Sequence, residues 1–306
     1  MRPLACLVAA GMLALSAPVA GADEVAYGQA YDTLYSIDIA SHTATEVGSA
    51  GRYGGQLIAS LSGLTATSDG TVYAYSGGLK ALVRVDLSSG VSTVVGSIGL
   101  NGTGQFDALD VGLATDCDDT IWLASGTLQE LYRINPSTGA ATLVGSMGHP
   151  ISGLVAKGNV LYGTGDAGDH KFYLISKATG AATAIGDFGA DVPSALNSVS
   201  MSFDAAGTLW AVLNYVPPTT GNTIPDWSDL ARVDPTTGAI SIVGPITGPE
   251  SLRTIGMKGF LITPRQCGGA IAATPAPALS LWSLLMLGIG VAAIAVLTLF
   301  PKRRTN

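Results

Sequence analysis

A glycine-rich stretch in the middle of the chain has the spacing of a phosphate-binding loop. Gly163, Gly165 and Gly168 fit the pattern G-x-G-x-x-G. In such a loop, the phosphates bind at the N-terminus of the helix that follows. Here the next segment, His170–Ile175, has the apolar alternation of a β-strand. The sequence therefore predicts no dinucleotide site, and no cofactor is expected.

Metal ligands and catalytic motifs are sparse. The run 116–119 has the carboxylates of a calcium loop, but it lacks the glycine and the glutamate that such a loop needs further on. The chain has three histidines: His42, His149 and His170. They occupy different positions within the repeated unit described below, which argues against a shared metal site. No Gly-x-Ser-x-Gly elbow and no His-Glu-x-x-His occurs. The scarcity of metal ligands and catalytic motifs favours a binding or structural role over an enzymatic one.

Any functional side chains of this chain are positioned by a unit that repeats along the sequence. An apolar strand followed by a turn recurs five times, with turn positions at His42, Gly90, Gly139, Gly180 and Gly238. Six residues after each turn position stands another glycine: Gly48, Gly96, Gly145, Gly186 and Gly244. The polar residue that ends each strand and the Pro-x-Thr-Gly runs are typical of hairpin turns. We interpret the repeated Asp and Gly residues as turn chemistry.

A second hairpin lies between successive copies of the first. It is built, for example, from Gly63-Leu64, a turn at Asp69-Gly70, and Val72-Tyr73. Two hairpins make a four-stranded sheet, and the turn positions are spaced by 48, 49, 41 and 58 residues, which is typical of β-propeller blades. The aromatic residue in this second hairpin is interpreted as blade-to-blade packing: Tyr73, Trp122, Tyr162, Trp210 and Phe260.

The sequence therefore predicts an all-β propeller of five four-stranded blades over residues 23–266. Outer-type strands at 24–49 and an inner-type hairpin at 251–264 are expected to complete one shared blade, which hides the sheet edges. Six blades or an open array is the alternative. The repeat resembles those of bacterial exported β-propeller proteins with a Leu-Tyr-x-Ile-Asp-Pro-x-Thr-Gly signature, a resemblance that implies the fold and no activity.

Both ends of the chain have the pattern of targeting segments. Residues 1–22 have a basic start, a short apolar run and a small-x-small cleavage site, as in a secretory signal peptide; an N-terminal anchor is the alternative. The linker 267–278 is rich in Gly, Ala and Pro. Residues 279–300 are uncharged and long enough to cross a hydrocarbon core of about 30 Å. The basic tail 301–306 is then expected in the cytoplasm, with the body outside.

The C-terminal segment also carries a motif. Pro277, Leu279, Ser280 and Trp282, followed by the apolar stretch and by Lys302, Arg303 and Arg304, resemble the PEP-CTERM-type sorting signals of exported bacterial proteins, and the IPTL-CTERM variety most. Ala278, Leu281 and Ser283 depart from that pattern. The resemblance implies a membrane processing enzyme of the exosortase kind as a partner, and release of the body after processing; a permanent anchor is the alternative.

The net charge limits the kinds of partner that this chain can bind, and the cysteine content bears on its compartment. Without the four basic residues of the two ends, the chain keeps 11 basic and 22 acidic residues, a net charge of −11. That charge argues against a nucleic-acid partner, which requires a basic surface. Cys117 and Cys267 are the two thiols left in the exported part. An oxidising compartment would let them pair, but the sequence does not settle whether they do.

Propellers tend to gather the loops between blades at one mouth of the central channel. The least repeated polar residues of this chain fall in those loops and are the candidate ligand-binding residues: Arg52, Tyr53, Gln105, Asp107, Asp110, His149, Asn197, Glu250 and Arg253. An insertion at 214–228 offers Tyr215 and Trp227 either as an aromatic recognition surface, for a polysaccharide or an envelope protein, or as cover for a blade edge.

Two function classes follow. The first is a non-enzymatic binding or surface-structural module at the cell envelope. The second is a metal-dependent lactonase- or lyase-like enzyme, with Asp107, Asp110, Asn197 and Glu250 as oxygen ligands at the channel mouth. The scarcity of catalytic motifs favours the first.

Overall fold

The computed structural model describes residues 24–104, 107–166, 168–215, 227–253, 255–265 and 267. In this part of the chain the regular structure is β-sheet, apart from one short 3-10 helix, Glu250–Arg253. Five four-stranded antiparallel sheets form the blades of a β-propeller. The predicted all-β class and the number of blades are confirmed, and the six-blade and open-array alternatives are not observed.

The strands follow one another around the ring. The chain begins with β1 (Val25–Ala30), β2 (Thr33–Asp38) and β3 (Thr43–Ser49), then a two-stranded hairpin, β4 (Arg52–Tyr53) and β5 (Gln56–Leu57). Blade 1 contains β6 (Leu61–Ala66), β7 (Val72–Ser76), β8 (Ala81–Val85) and β9 (Ser92–Ser97). Blade 2 contains β10 (Val111–Thr115), β11 (Ile121–Ser125), β12 (Glu130–Ile134) and β13 (Ala141–Ser146).

The remaining blades repeat this order. Blade 3 contains β14 (Ile151–Lys157), β15 (Val160–Gly165), β16 (Lys171–Ile175) and β17 (Ala182–Asp187). Blade 4 contains β18 (Leu196–Phe203), β19 (Leu209–Tyr215), β20 (Asp229–Val233) and β21 (Ile240–Pro245). Blade 5 is ordered β22-β1-β2-β3, where β22 is Gly259–Thr263. Hydrophobic side chains fill the spaces between neighbouring blades.

The ends of the chain share blade 5, but not as the sequence predicted. The N-terminal part supplies three strands and the C-terminal part supplies one, β22, which pairs with β1. The expected inner hairpin at 251–264 is wrong, because 250–253 form the 3-10 helix and only Gly259–Thr263 is a strand. Phe260 consequently lies on an innermost strand, whereas Tyr73, Trp122, Tyr162 and Trp210 lie on second strands.

The repeated glycines fall into two groups. The turn glycines Gly90, Gly139, Gly180 and Gly238 have φ between 76° and 81°, as the predicted turns require. The second group does not form turns, so that part of the prediction is wrong. Those glycines lie within the outermost strand of each blade: Gly48, Gly96, Gly145, Gly186 and Gly244. There the backbone of the next blade leaves no room for a β-carbon at four of the five positions.

A disulfide joins Cys117, in the turn between β10 and β11, to Cys267, shortly after β22. The pairing that the sequence left open is therefore present. Arg265 lies in the same segment, donates to the Thr115 and Asp116 carbonyl oxygens, and reaches the Asp119 carboxylate at 2.6 Å. The residues after the last strand are thereby fixed to blade 2, across the ring from the blade that they close.

The predicted signal peptide, most of the linker, the apolar stretch 279–300 and the sorting motif lie outside the described residues. Among the residues that are described, no helix has the length and apolar character needed to cross a bilayer.

Candidate functional site

The innermost strands of the five blades surround a central channel. At one end, where the loops between blades gather, the channel opens into a cavity of about 570 Å³. Innermost strands β6, β10, β14 and β18 contribute to its wall, as does Lys258, which directly precedes β22. Small-molecule sites have volumes of roughly 300 to 1,000 Å³, so this mouth cavity has the size of a ligand site.

Below the mouth cavity the channel is nearly filled. The next void, beside Gly112 and Gly153, measures about 10 Å³. The void at the opposite end measures about 40 Å³ and is bordered by Arg265. Spaces of this size hold about one to three water molecules at most. The mouth cavity is therefore a pocket that is open at one end, and not a passage through the ring.

Charged side chains at the mouth cavity occur in opposite-sign pairs. The Asp110 carboxylate lies 3.6 Å from the Lys258 ammonium and accepts a hydrogen bond from the Thr127 hydroxyl. Asp107 forms an ion pair with Lys80. Burial, together with the negative charge of Asp110, raises the pKa of Tyr75 above its usual range, so Tyr75 presents a neutral hydroxyl at all ordinary pH values. The cavity wall has no large net charge.

Hydroxyl and amide side chains alternate with apolar residues in the rest of the wall. Among the described residues that line it are five serines, two asparagines and three tyrosines. Ser152 is 9% exposed, and its hydroxyl has no hydrogen-bond partner in the described part of the protein. Asn214 is buried, and its amide donates a 3.4 Å hydrogen bond to Ser198. A β-carbon at Gly256 would overlap the Asn214 side chain, which would have to shift.

The predicted ligand-binding residues are only partly brought together. Asp107, Asp110 and Asn197 line the mouth cavity, as the sequence predicted. Arg52 and Tyr53 lie in the exposed β4–β5 hairpin, where Arg52 donates to the Gly55 carbonyl oxygen at 2.9 Å. Neither is among the residues that line the cavity. Gln105 lies outside the described residues.

Glu250 and Arg253 are likewise away from the cavity. They form an exposed ion pair, at 3.2 Å, within the 3-10 helix. The Arg253 guanidinium also lies 5.8 Å from the centre of the Trp227 ring. Of the four oxygen ligands predicted for a metal enzyme, Glu250 is thus separate, and the carboxylates of Asp107 and Asp110 each face a lysine. The described residues contain no group of three or more His, Cys, Asp or Glu that could hold a metal ion.

The two aromatic residues of the insertion pack inward. Tyr215 is 7% exposed, ends strand β19, and donates a 2.6 Å hydrogen bond to the Asp229 carboxylate. Burial raises the pKa of Asp229, although the bond from Tyr215 acts in the opposite direction. Trp227 is half-buried against the hydrophobic core between blades 4 and 5. Tyr215 also lines the mouth cavity, whereas the packing of Trp227 is that of cover for a blade edge; residues 216–226 lie outside the described part.

His149 lies in a separate, open groove on the rim of blade 3. Its Nδ1 atom is 3.2 Å from the Tyr173 hydroxyl, which donates a 2.7 Å hydrogen bond to Asp169. Burial and that bond raise the pKa of Tyr173 above its usual range. This rim groove, of about 640 Å³, also contains His170, Lys171 and Asp187.

Sequence reasoning missed the cavity-facing residues of the innermost strands. Ser152 precedes Gly153-Leu154, and Ser62 precedes Gly63-Leu64, at matching positions of the two blades. A small hydroxyl residue one position before this recurrent Gly-Leu pair was the available signal. Lys258, which is not among the predicted ligand-binding residues, also stands at the cavity wall.

Comparisons with known proteins bear on the fold alone. Neither a protein-family model nor a curated protein matches the chain. Among solved structures, the chain is similar to one in a nidogen/laminin complex, with a TM-score of 0.51 and 14% identity over 80% of this chain and 100% of that one. A virginiamycin B lyase from Staphylococcus aureus aligns with a TM-score of 0.41 and 17% identity, over 72% of this chain and 65% of that one.

Proposed function

We propose that this chain is an exported β-propeller, anchored in or sorted to the cell envelope, that acts as a non-enzymatic binding and surface-structural module. Its ligand is a small molecule held in the mouth cavity. The propeller supplies a rigid frame, and the loops and innermost strands at one end supply the recognition groups.

The observation that carries this proposal is the Ser152 hydroxyl, which has no hydrogen-bond partner among the described residues. A buried polar group without a partner costs about 1 to 3 kcal/mol, and one at the wall of a cavity is explained by a ligand or a water molecule that bonds it. Ser152 lines an open cavity of ligand size. The Ser152 oxygen is covered in this structure, so a ligand would bond it after the side chain turns toward the cavity, and it would then recover that energy.

The ends of the chain support the cellular part of the proposal. The signal-like segment 1–22, the apolar stretch 279–300 and the basic residues Lys302–Arg304 are the sequence features of an exported, membrane-attached protein. The partners proposed on this basis are the membrane, an exosortase-type processing enzyme, and a polysaccharide or envelope protein. The Cys117–Cys267 disulfide is consistent with an oxidising compartment.

A ligand screen tests the binding role. The full chain would be heated with a library of amino acids, organic acids, nucleosides, polyols and sugars, and the melting temperature recorded, because a ligand of the native state raises it. We expect at least one compound to stabilise the wild type and to lose much of this effect in Ser152→Ala. If no compound acts, or if one is converted to product by the wild type alone, the proposal is overturned.

Cell fractionation tests the location. The wild type would be compared with a variant in which Trp282 is replaced by Ala and the Lys302–Arg304 cluster by Ser. We expect the wild type in the envelope or the medium, without residues 1–22, and the variant with an altered mass or location. Recovery of both chains in the cytoplasm, uncut, would contradict export.

A further inference from the structure

We infer that the ligand of the mouth cavity is an uncharged polyhydroxylated molecule, such as a sugar unit. This inference rests on the proposed binding function and names the chemical class of the ligand. It follows from the charge, the hydrogen-bonding groups and the shape of the cavity.

The charge balance of the cavity favours an uncharged ligand. An unpaired charge of opposite sign is the strongest attraction that a site can offer an ion, because removing an ion from water is costly. Here Asp110 lies beside Lys258, and Asp107 beside Lys80. Lys258 and Asp110 balance each other inside the cavity, and Asp107 is balanced by Lys80, which lies outside the lining, so the cavity offers a charged ligand little net attraction.

The uncharged groups of the wall match hydroxyl groups. A serine hydroxyl donates one hydrogen bond and accepts up to two, and a carboxamide also does both. A sugar hydroxyl also both donates and accepts. A hydrogen bond between it and a serine or asparagine side chain can therefore form with either group as the donor. The covered Ser152 hydroxyl has no hydrogen-bond partner among the described residues, and Ser62, Ser198, Ser200 and Asn197 line the same cavity.

An aromatic ring is available for the apolar face of such a ligand. Tyr31 lines the cavity and is 49% exposed. Its backbone is fixed, since the Tyr31 carbonyl oxygen accepts a 2.8 Å hydrogen bond from the Leu61 amide of blade 1. Sugar rings present C–H groups on one face, which pack on aromatic rings, and a large amphipathic side chain held in place loses little entropy on binding.

The closed lower end of the cavity limits the length of the ligand. The two voids described below the cavity measure about 10 and 40 Å³, so the described residues show no passage wide enough for a polymer to thread through the ring. The cavity therefore fits a free sugar or the terminal unit of a longer chain.

The test compares matched sets of probes on the full chain by isothermal titration calorimetry. The neutral probes are glucose, galactose, N-acetylglucosamine and myo-inositol; the charged counterparts are glucosamine and glucuronate; glutamate and adenosine represent other classes. We expect at least one neutral probe to bind at millimolar concentration or tighter. Its affinity should change little with ionic strength, because no charge pairing drives it.

Two serine variants locate the binding. Ser92 in β9 is also buried with an unpartnered hydroxyl, but it is not among the residues that line the mouth cavity. Ser152→Ala should weaken binding by about fivefold, the effect of one hydrogen bond, whereas Ser92→Ala should leave it unchanged. Tyr31→Ala should also weaken binding.

The outcomes separate the inference from the function on which it rests. If a charged probe, glutamate or adenosine binds in a Ser152-dependent way and the neutral sugars do not, the cavity is a ligand site and the inference is wrong. If neutral sugars bind equally well to Ser152→Ala and Tyr31→Ala, they bind elsewhere, and the inference is again wrong. If nothing binds, both the inference and the proposed binding role are overturned.

Discussion

Gly96 in blade 1 packs so tightly on Thr138 in blade 2 that a β-carbon at Gly96 would overlap the Thr138 carbonyl oxygen. The same relation joins other neighbouring blades: Gly48 with Ser89, Gly145 with Thr179, and Gly186 with Thr237. Between blades 4 and 5, Gly244 instead faces the ring of His42. The repeated glycine of the sequence therefore marks the place where the outer edge of one blade meets the turn of the next.

This relation predicts a difference between two glycine substitutions. Gly145→Ala places a methyl group against the backbone of Thr179, which cannot move without shifting its turn. We expect a loss of about 1 to 3 kcal/mol in the free energy of unfolding, as for other overpacked sites. Gly244→Ala meets only the His42 side chain, at 3.0 Å, which can rotate away, so its loss should be below about 1 kcal/mol. Urea unfolding of both variants measures the difference; equal losses would contradict this explanation of the glycines.

The disulfide predicts a redox-dependent stability. Cys117 and Cys267 are 150 residues apart in sequence, so their bond restricts a long loop of the unfolded chain. In the chain-entropy view, such a bond contributes about 4 to 5 kcal/mol. We expect Cys267→Ser to lower the melting temperature, and a reductant to lower that of the wild type by a similar amount. Since the variant has no bond to lose, the same reductant should leave it unchanged. An insensitive wild type would contradict the bond.

A buried carboxylate in blade 2 predicts a pH dependence. Asp116 is 1% exposed, and it accepts hydrogen bonds from the Lys177 ammonium at 2.6 Å and the Trp122 indole at 2.8 Å. Burial acts to raise its pKa, but the bonds from Lys177, Trp122 and the Thr120 amide, together with the positive charge of Lys177, hold the pKa below its usual value. The ionised form thus stabilises the fold above about pH 4, and this contribution is lost as the pH falls through the lowered pKa.

Blade 4 offers a matched control for that prediction. Asp204 accepts the Trp210 indole at the same distance, 2.8 Å, and has no ion pair with a lysine among the described residues. At pH 7, Asp116→Asn should cost about 2 to 3 kcal/mol in the free energy of unfolding, because Lys177 loses its charged partner. Asp204→Asn should cost less. The difference between the two variants should shrink as the pH is lowered to about 3; a difference that is independent of pH would exclude the ion pair as its cause.

Much of the fold could be predicted because its information is local. Each hairpin carries its own turn residues, such as Asp86, whose carboxylate accepts the Ser88 amide at 2.8 Å. The way the ring closes could not be predicted in this manner. Whether Phe260 belongs to an innermost or a second strand depends on its pairing with Gly28, more than 200 residues away, and no local pattern records that partner.

The candidate site could be predicted only in part, because some of its residues are marked by the local sequence and others are not. Non-repeated polar residues such as Asp110 and Asn197 stand out in a repetitive sequence and do line the mouth cavity. Ser152 stands out less, because its one signal, a hydroxyl residue before a Gly-Leu pair, is a weak one. Its importance comes from three-dimensional placement: it is buried at a cavity wall with no partner among the described residues.

The most direct test of this account is a crystal structure of the full chain soaked with the neutral sugars of the probe set. The account predicts a sugar ring in the mouth cavity, with a hydroxyl oxygen of the sugar within hydrogen-bond distance of Ser152 Oγ, about 2.7 to 2.8 Å. A mouth cavity that contains only water, or a sugar found instead in the rim groove beside His149, would contradict it.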